Sequence, residues 1–318
     1  MTFETPILFL VFNRPEMTQQ VFETIKQVKP KYLYIAADGP REGNDNDNVK
    51  CEKVRKYVLA NIDWEGEVKT LFREKNLGCG KGVSSAITWF FENVEEGIIL
   101  EDDCVPSLSF FNYCSTLLEK YRNNDNIYVL GGNNFQKRKR GNASYYFSAY
   151  GHIWGWATWR RAWKKYDFTL ETFDDQKFYK CLENYFSTKQ EKEYWLNIFN
   201  MMKQSLIDTW DYQWTFTQWY NNAINILPNV NLVKNIGFTE EGTHTTWAIP
   251  GKSDLVSYNI SKIVHPHKIK IDRKADLYTF RNIFLMKKEI RIKEKIKKII
   301  LSIIRLSGYD VVKIKNKS

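Results

Sequence analysis

Three carboxylic acids in a row, Glu101, Asp102 and Asp103, end an apolar run in GIILEDDCVP. Like charges this close raise one another's pKa and cost free energy unless a cation intervenes. A divalent ion removes that cost, and hard carboxylate oxygens favour Mg2+ or Mn2+ over zinc. Further polar groups follow other apolar runs. Asn13 and Arg14 come after ILFLVF, Asp38 and Arg41 after YLYIAA, and Arg73, Asn76 and Lys81 after VKTLF. Cations mixed with carboxylates suit a phosphate ester held together with a metal ion. Asp211 in WDYQW stands among aromatic residues, where desolvation is expected to raise a carboxylate's pKa toward that of a useful base.

The elements that must position these groups are legible between residues 6 and 133. Short runs rich in Ile, Val, Leu and Tyr start at Pro6, Tyr32, Val68, Gly97 and Ile127, and helical stretches cover Glu16–Val28, Val49–Leu59, Val83–Val94 and Leu108–Tyr121. Alternation of this kind predicts βαβ units and a mixed, mostly parallel α/β sheet covered by helices. Ligands of such sheets sit beyond the carboxyl ends of the strands, where the acids and cations collect. Pro106 is expected to open the next helix directly and so hold the acids in a fixed turn.

GCGKGVSS matches neither nucleotide-loop pattern. A Walker loop needs glycine where Lys75 stands and Ser or Thr where Gly82 stands, and a dinucleotide fingerprint needs glycine at Val83. The segment reads either as a glycine-rich helix entry or as a lid whose amides attract a phosphate. From residue 134 tryptophan dominates: eight of the 11 lie between Trp154 and Trp219. They form a second core or the walls of a sugar pocket, and His152, Trp154 and Trp156 in GHIWGW are the candidate acceptor contacts.

The five cysteines contain no CxxC pair, which predicts reduced thiols, and no apolar run near the start suits a signal peptide or a membrane span. The net charge of +10 is local. Residues 281–318 carry twelve Lys or Arg against three Asp or Glu, which leaves +1 for residues 1–280. A neutral body argues against a nucleic-acid enzyme. In the tail Leu285, Ile292, Ile296, Ile299, Ile300, Ile303 and Ile304 recur at helical spacing among lysines. This pattern predicts a basic amphipathic helix that lies on an anionic membrane surface, or packs on a partner.

The motifs VFNRPE, AADGPR, NLGCGKGVSSAI, ILEDDCVPS, WGWATWRRAW, WDYQW and LPNVNLVKNIGF, spread over residues 5 to 265, together resemble the GT-A glycosyltransferases. The likeness is to bacterial nucleotide-sugar transferases of polysaccharide clusters and, more distantly, to N-acetylglucosaminyltransferase I. The resemblance implies a GT-A domain over 1–280, with a nucleotide-sugar half (1–133) and an acceptor half (134–280), ahead of the tail 281–318. It implies that Arg14 contacts the diphosphate or uridine, Asp38 the base, and Asp102 the ribose or donor sugar. Asn13, Arg73, Asn76, Lys81 and Glu101 complete the donor side. Asp103 would ligate Mn2+ or Mg2+, and His244 in EEGTHTTW would complete the metal shell, bind a diphosphate oxygen or cap a turn. Asp211 falls where the distant relative has a WDDW-like element with its base, although this chain keeps one Asp there. The implied reaction is inverting transfer from a nucleoside diphosphate sugar, with UDP the expected carrier, to a glycan or polyprenyl-linked acceptor on the cytoplasmic face of the membrane. A sugar nucleotidyltransferase and a noncatalytic glycan-binding protein are the alternatives.

Overall fold

The computed structural model describes residues 2–238 and 255–285. In chain order the elements are β1 (Ile7–Val11), α1 (Pro15–Val28), β2 (Tyr32–Ala37), α2 (Asp45–Ala60), β3 (Glu67–Phe72), α3 (Gly78–Asn93) and β4 (Glu96–Glu101). They continue with β5 (Cys104–Pro106), α4 (Leu108–Tyr121), β6 (Ile127–Gly131), β7 (Tyr145–Ser148), β8 (Trp156–Trp159), α5 (Arg160–Trp163), α6 (Asp175–Glu183) and α7 (Lys189–Lys203). Last come α8 (Asp211–Tyr220), β9 (Ile224–Pro228), β10 (Val233–Asn235) and α9 (Arg273–Thr279). Met1–Asp276 forms one compact unit and the chain from Leu277 a second. Of the second unit, the end of α9 and a π-helical turn, Phe280–Leu285, are described; the amphipathic tail expected beyond it lies outside the described residues.

Eight strands form one sheet in the order β3-β2-β1-β4-β8-β6-β9-β7. The pairs β1–β2, β2–β3, β1–β4 and β6–β9 are parallel, while β8 runs antiparallel to both β4 and β6, and β7 antiparallel to β9. The architecture is therefore the mixed, mostly parallel α/β sheet flanked by helices that the sequence pattern predicts. Alternation along the strands sorts the core into two layers, because successive side chains point to opposite faces. Ile7, Phe9, Val11, Ile98 and Leu100 meet α1, α2 and α4, whereas Leu8, Leu10, Tyr34 and Ile99 meet α3 and the tryptophans of the second half.

Two expectations are corrected. Pro106 does not open a helix; it ends β5, which pairs antiparallel with β10, and α4 begins at Leu108. The run LPNVNLVKNIGF, which its sequence presents as one late strand, is parts of two, since it turns after Pro228 and resumes as β10. The dense tryptophans are largely core. Trp156, Trp159, Trp195, Trp210, Trp214 and Trp219 are all fully buried.

Candidate functional site

β1 lies at the centre of its parallel half: β2 and β3 follow on one side and β4 on the other. The connections leave β1 and β4 in opposite directions, which opens a crevice at their carboxyl ends, the usual ligand position in an open α/β sheet. Arg14 follows β1 and Glu101–Asp103 follow β4, so the crevice brings them together. The Arg14 guanidinium donates through Nε and Nη2 to the two oxygens of Asp102, with Nε to Oδ2 at 3.3 Å, and through Nη1 to Asp103 Oδ2 at 3.0 Å. Asp102 and Asp103 are buried. Burial works against the Arg14 charge, but Asp102 and Asp103 outweigh it and raise its pKa. Desolvation and the neighbouring Asp103 push the Glu101 carboxyl up, and desolvation does the same to Asp102 against the pull of Arg14. The repulsion within EDD is thus answered by a residue 88 positions away.

Among the described residues no group of three or more His, Cys, Asp or Glu is arranged to hold a metal ion. Asp102 spends both oxygens on Arg14, and Asp103 accepts from Arg14 on Oδ2 and from the Cys104 thiol on Oδ1 at 3.3 Å. Gly237 presses on the same carboxylate, for a Cβ there would lie 2.2 Å from Asp103 Oδ2. As arranged, these carboxylates face the Arg14 guanidinium, and the described residues alone do not complete a divalent-ion site. His244 lies outside the described residues.

The other donor-side candidates are engaged in building the crevice. Asn13 donates to Asp47 Oδ1 at 2.7 Å, and Arg41 reaches the same carboxylate with Nη2 at 2.9 Å. These contacts, Arg41's foremost, lower the Asp47 pKa to about 2. Asp38 accepts from Gly39 N–H at 3.0 Å and from Leu77 N–H at 3.0 Å, while burial raises its pKa. Asn76 donates to Gly39 O at 2.7 Å, and Arg73 donates to Ser85 Oγ at 2.8 Å. Asp38 and Asn76 therefore stitch the loop after β2 to the loop after β3. Lys81 stands exposed on the first turn of α3.

GCGKG is the entry of α3, and carboxylates account for its glycines. A Cβ on Gly82 would lie 2.9 Å from Asp38 Oδ2, and one on Gly80 would lie 2.5 Å from Asp208 Oδ1, to which Gly80 N–H donates at 3.3 Å. The anion at this helix start is thus the chain's own Asp208. Three residues on, Asp211 opens α8. Its Oδ1 accepts from the Thr209 hydroxyl and from Tyr212 N–H at 2.9 Å, and its Oδ2 has no hydrogen bond among the described residues. The charge of Asp211 is felt by Glu101 and by Cys79, which also feels Asp208 and Arg14. The N-terminus of α8 therefore lies near the end of β4 and the entry of α3.

His152 and Trp154 both stand edge-on to Phe135, at 4.7 and 5.2 Å, and Trp154 meets Phe238 at 5.4 Å. Trp156 is not part of this group. It packs on the other face of the sheet, stacked 5.7 Å from Trp210, with no exposed surface. Sequence reasoning missed Asp47, Asp208 and Gly237; DTWD, with acids three apart, was the available signal for Asp208. It also missed Asn133 in GGNN after β6, fully buried with both amide atoms unpartnered among the described residues.

No protein-family model matches the sequence, and no curated protein matches it. Solved structures similar to this chain include a mannosyltransferase from Pyrobaculum calidifontis in complex with GDP-Man and Mn2+, at 10% identity over 70% of this chain and 70% of that one, with a TM-score of 0.39. HddC from Yersinia pseudotuberculosis is similar at 10% identity over 51% and 80%, with a TM-score of 0.32. The inositol-1-phosphate CTP transferase of T. maritima follows at 10% over 55% and 77%, with 0.31. Likenesses this slight say nothing of what this chain binds or makes.

Proposed function

We propose that this chain is a GT-A glycosyltransferase that moves a sugar from a nucleoside diphosphate, UDP in the first instance, to a hydroxyl of a glycan or polyprenyl-linked acceptor with inversion. The observation that carries the reading is a pairing of two groups. A cation–carboxylate cluster sits at the carboxyl ends of β1 and β4, and Asp211, near enough to influence Glu101, keeps one carboxylate oxygen anchored and the other without a hydrogen bond among the described residues. Anchoring sets the orientation and the unpartnered Oδ2 is available to accept a proton, as a general base requires.

In this reading the acceptor hydroxyl gives its proton to Asp211 Oδ2 as its oxygen bonds to the anomeric carbon. The bond from that carbon to the diphosphate breaks, and the electron pair leaves with the nucleoside diphosphate. Arg14 and Lys81 offer positive charge to the departing phosphates. The base and the leaving group belong on opposite sides of the sugar in an inverting step, and Asp211 and EDD come from different segments. Mn2+ or Mg2+ remains an expected requirement taken from the resemblance, with Asp103 and His244 the candidate ligands, and none of these steps runs through the ion. Activity abolished by EDTA and restored by Mn2+ supports that requirement.

Asp211→Asn keeps the side chain's shape and its acceptance from Thr209 and Tyr212 but removes the basicity. Transfer is expected to fall at least ~100-fold, with the dissociation constant of the nucleotide sugar changed less than about threefold. Parallel loss of transfer and donor binding would assign Asp211 to the architecture instead. The proposal also locates the protein on the inner face of the bacterial membrane, held there by the basic tail.

A further inference from the structure

Residues 255–271 cross the outside of the folded body with no regular helix or strand. The strap is nevertheless tied down. Tyr258 N–H donates to Asn231 O at 2.7 Å and Ile260 N–H to Ser109 Oγ at 2.9 Å. Val264 O accepts from Ser144 N–H at 2.8 Å, His265 Nδ1 meets the Tyr145 hydroxyl at 2.9 Å, and Ile271 bridges to Phe147. Ile260 and Ile263 turn inward against the core. The backbone is thus held along its length, and what it shows to solvent is a built surface.

That surface is apolar and basic together. Val256 is 60% exposed, Tyr258 57%, Val264 47% and Ile269 46%, and Leu108, beside the Ser109 attachment, is 51%. Four of the eleven exposed large apolar side chains of the described residues fall in these seventeen positions, so the strap is not average surface. Between them stand Lys262, Lys268 and Lys270, none in an ion pair among the described residues, and residues 255–271 contain no Asp or Glu. Asp254 and Asp272 flank the segment in the sequence, and Asp272 is taken by Arg140 at 2.8 Å. Burial, and after it the charge of Lys120 on α4, lower the His265 pKa; Lys120 adds a further cation, with Glu119 beside it.

We infer that this strap is a membrane-docking surface of the folded body, which lays Leu108, Val256, Tyr258, Val264 and Ile269 into the interface of an anionic bilayer while its lysines meet the headgroups. An acidic polymer would satisfy the lysines and leave five apolar side chains in water, whereas a bilayer interface takes both kinds. Tyrosine suits that boundary because its ring is apolar and its hydroxyl is wet. The inference is independent of glycosyl transfer and of the tail.

Hydroxyl-radical footprinting of the full chain, read residue by residue, tests it. The protein is exposed alone, with phosphatidylcholine vesicles, and with vesicles containing phosphatidylglycerol. Leu59 and Leu206, 45% and 63% exposed elsewhere on the surface, serve as references. Oxidation of Tyr258, Val264 and Ile269 is expected to drop at least threefold with phosphatidylglycerol vesicles only, while the references stay constant. Lys262→Glu with Lys268→Glu and Lys270→Glu is expected to weaken vesicle partitioning roughly 100-fold, at about one kcal/mol for each lysine at an anionic surface. Vesicle binding with the strap still fully oxidised would overturn the inference. So would protection by heparin in a protein that ignores vesicles.

Discussion

Replacing Arg14 by methionine keeps much of the side chain's volume and removes its charge, which isolates what the guanidinium does for the acids. Arg14 is 19% exposed at the side chain, against 4% for Asp102 and 12% for Asp103, so the solvent cannot take over its role. Removing one partner of a buried ion pair costs ~3–5 kcal/mol, because the other charge remains buried and uncompensated. With Arg14 partly open, the lower end applies, ~3 kcal/mol, or a fall in Tm of ~5 °C for a chain of this size. The sign of the pH dependence follows from the acids. Without Arg14, whose charge pulls it down, the folded-state pKa of Asp102 rises further above its unfolded value, so the folded state holds a proton that the unfolded state has released. Stability of the variant then falls as pH increases, and its deficit against the parent is larger at pH 8.5 than at pH 5.5. Urea titrations of both proteins in EDTA at the two pH values measure this. A deficit below ~1 kcal/mol, or one equal at both pH values, would refute the charge-compensation reasoning.

The same logic applies to Asp276, which is buried and accepts from the Ser148 hydroxyl at 2.6 Å and from Ala149 N–H at 2.9 Å. Desolvation raises its pKa to about 7, so its folded form keeps a proton over a range where the unfolded form has lost it. Stability is expected to decline by up to ~4 kcal/mol between about pH 4 and pH 7 on this account, and Asp276→Asn should flatten that part of the curve; an unchanged slope would contradict it. Gly39→Ala would set a Cβ 2.4 to 2.6 Å from the backbone of Lys75. Backbone cannot step aside cheaply, so a loss of ~2 kcal/mol or more in urea unfolding is expected, and a change within ~0.5 kcal/mol would mean that the two loops are not locked together.

Why some of this was legible in the sequence and some was not follows from the range of the interactions. The βαβ half announced itself because a parallel strand buried on both faces must be apolar throughout, and its helices must alternate with it: α4 matches its expected span, Leu108–Tyr121, at both ends. EDD was visible because three adjacent acids conflict locally. The resolution of that conflict was not, because the sheet order that brings Arg14 to Asp102 is a nonlocal fact. Asp208 was hidden for the same reason, since its partner Gly80 lies 128 positions away. GCGKG invited a phosphate reading because glycine permits close approach without saying of what, and here the approaching groups are carboxylates. The tryptophans were ambiguous in kind. A ring can wall a sugar pocket or fill a core, and only the tertiary packing decides it: Trp156, inside β8, is buried, while Trp154, which precedes the strand, stays half-buried beside Phe135.

The central claim is that the crevice between β1 and β4 transfers a sugar and releases a nucleoside diphosphate. The direct measurement is the identity of the phosphorus product when the full chain is incubated, with Mn2+, with a panel of nucleotide sugars and candidate acceptors, and separately with nucleoside triphosphates and sugar 1-phosphates. The account predicts nucleoside diphosphate from one nucleotide sugar, dependent on acceptor and lost in Asp211→Asn, and no pyrophosphate from the second set. Pyrophosphate release from a nucleoside triphosphate and a sugar 1-phosphate, unaffected by Asp211→Asn, would contradict it and make the chain a nucleotidyltransferase.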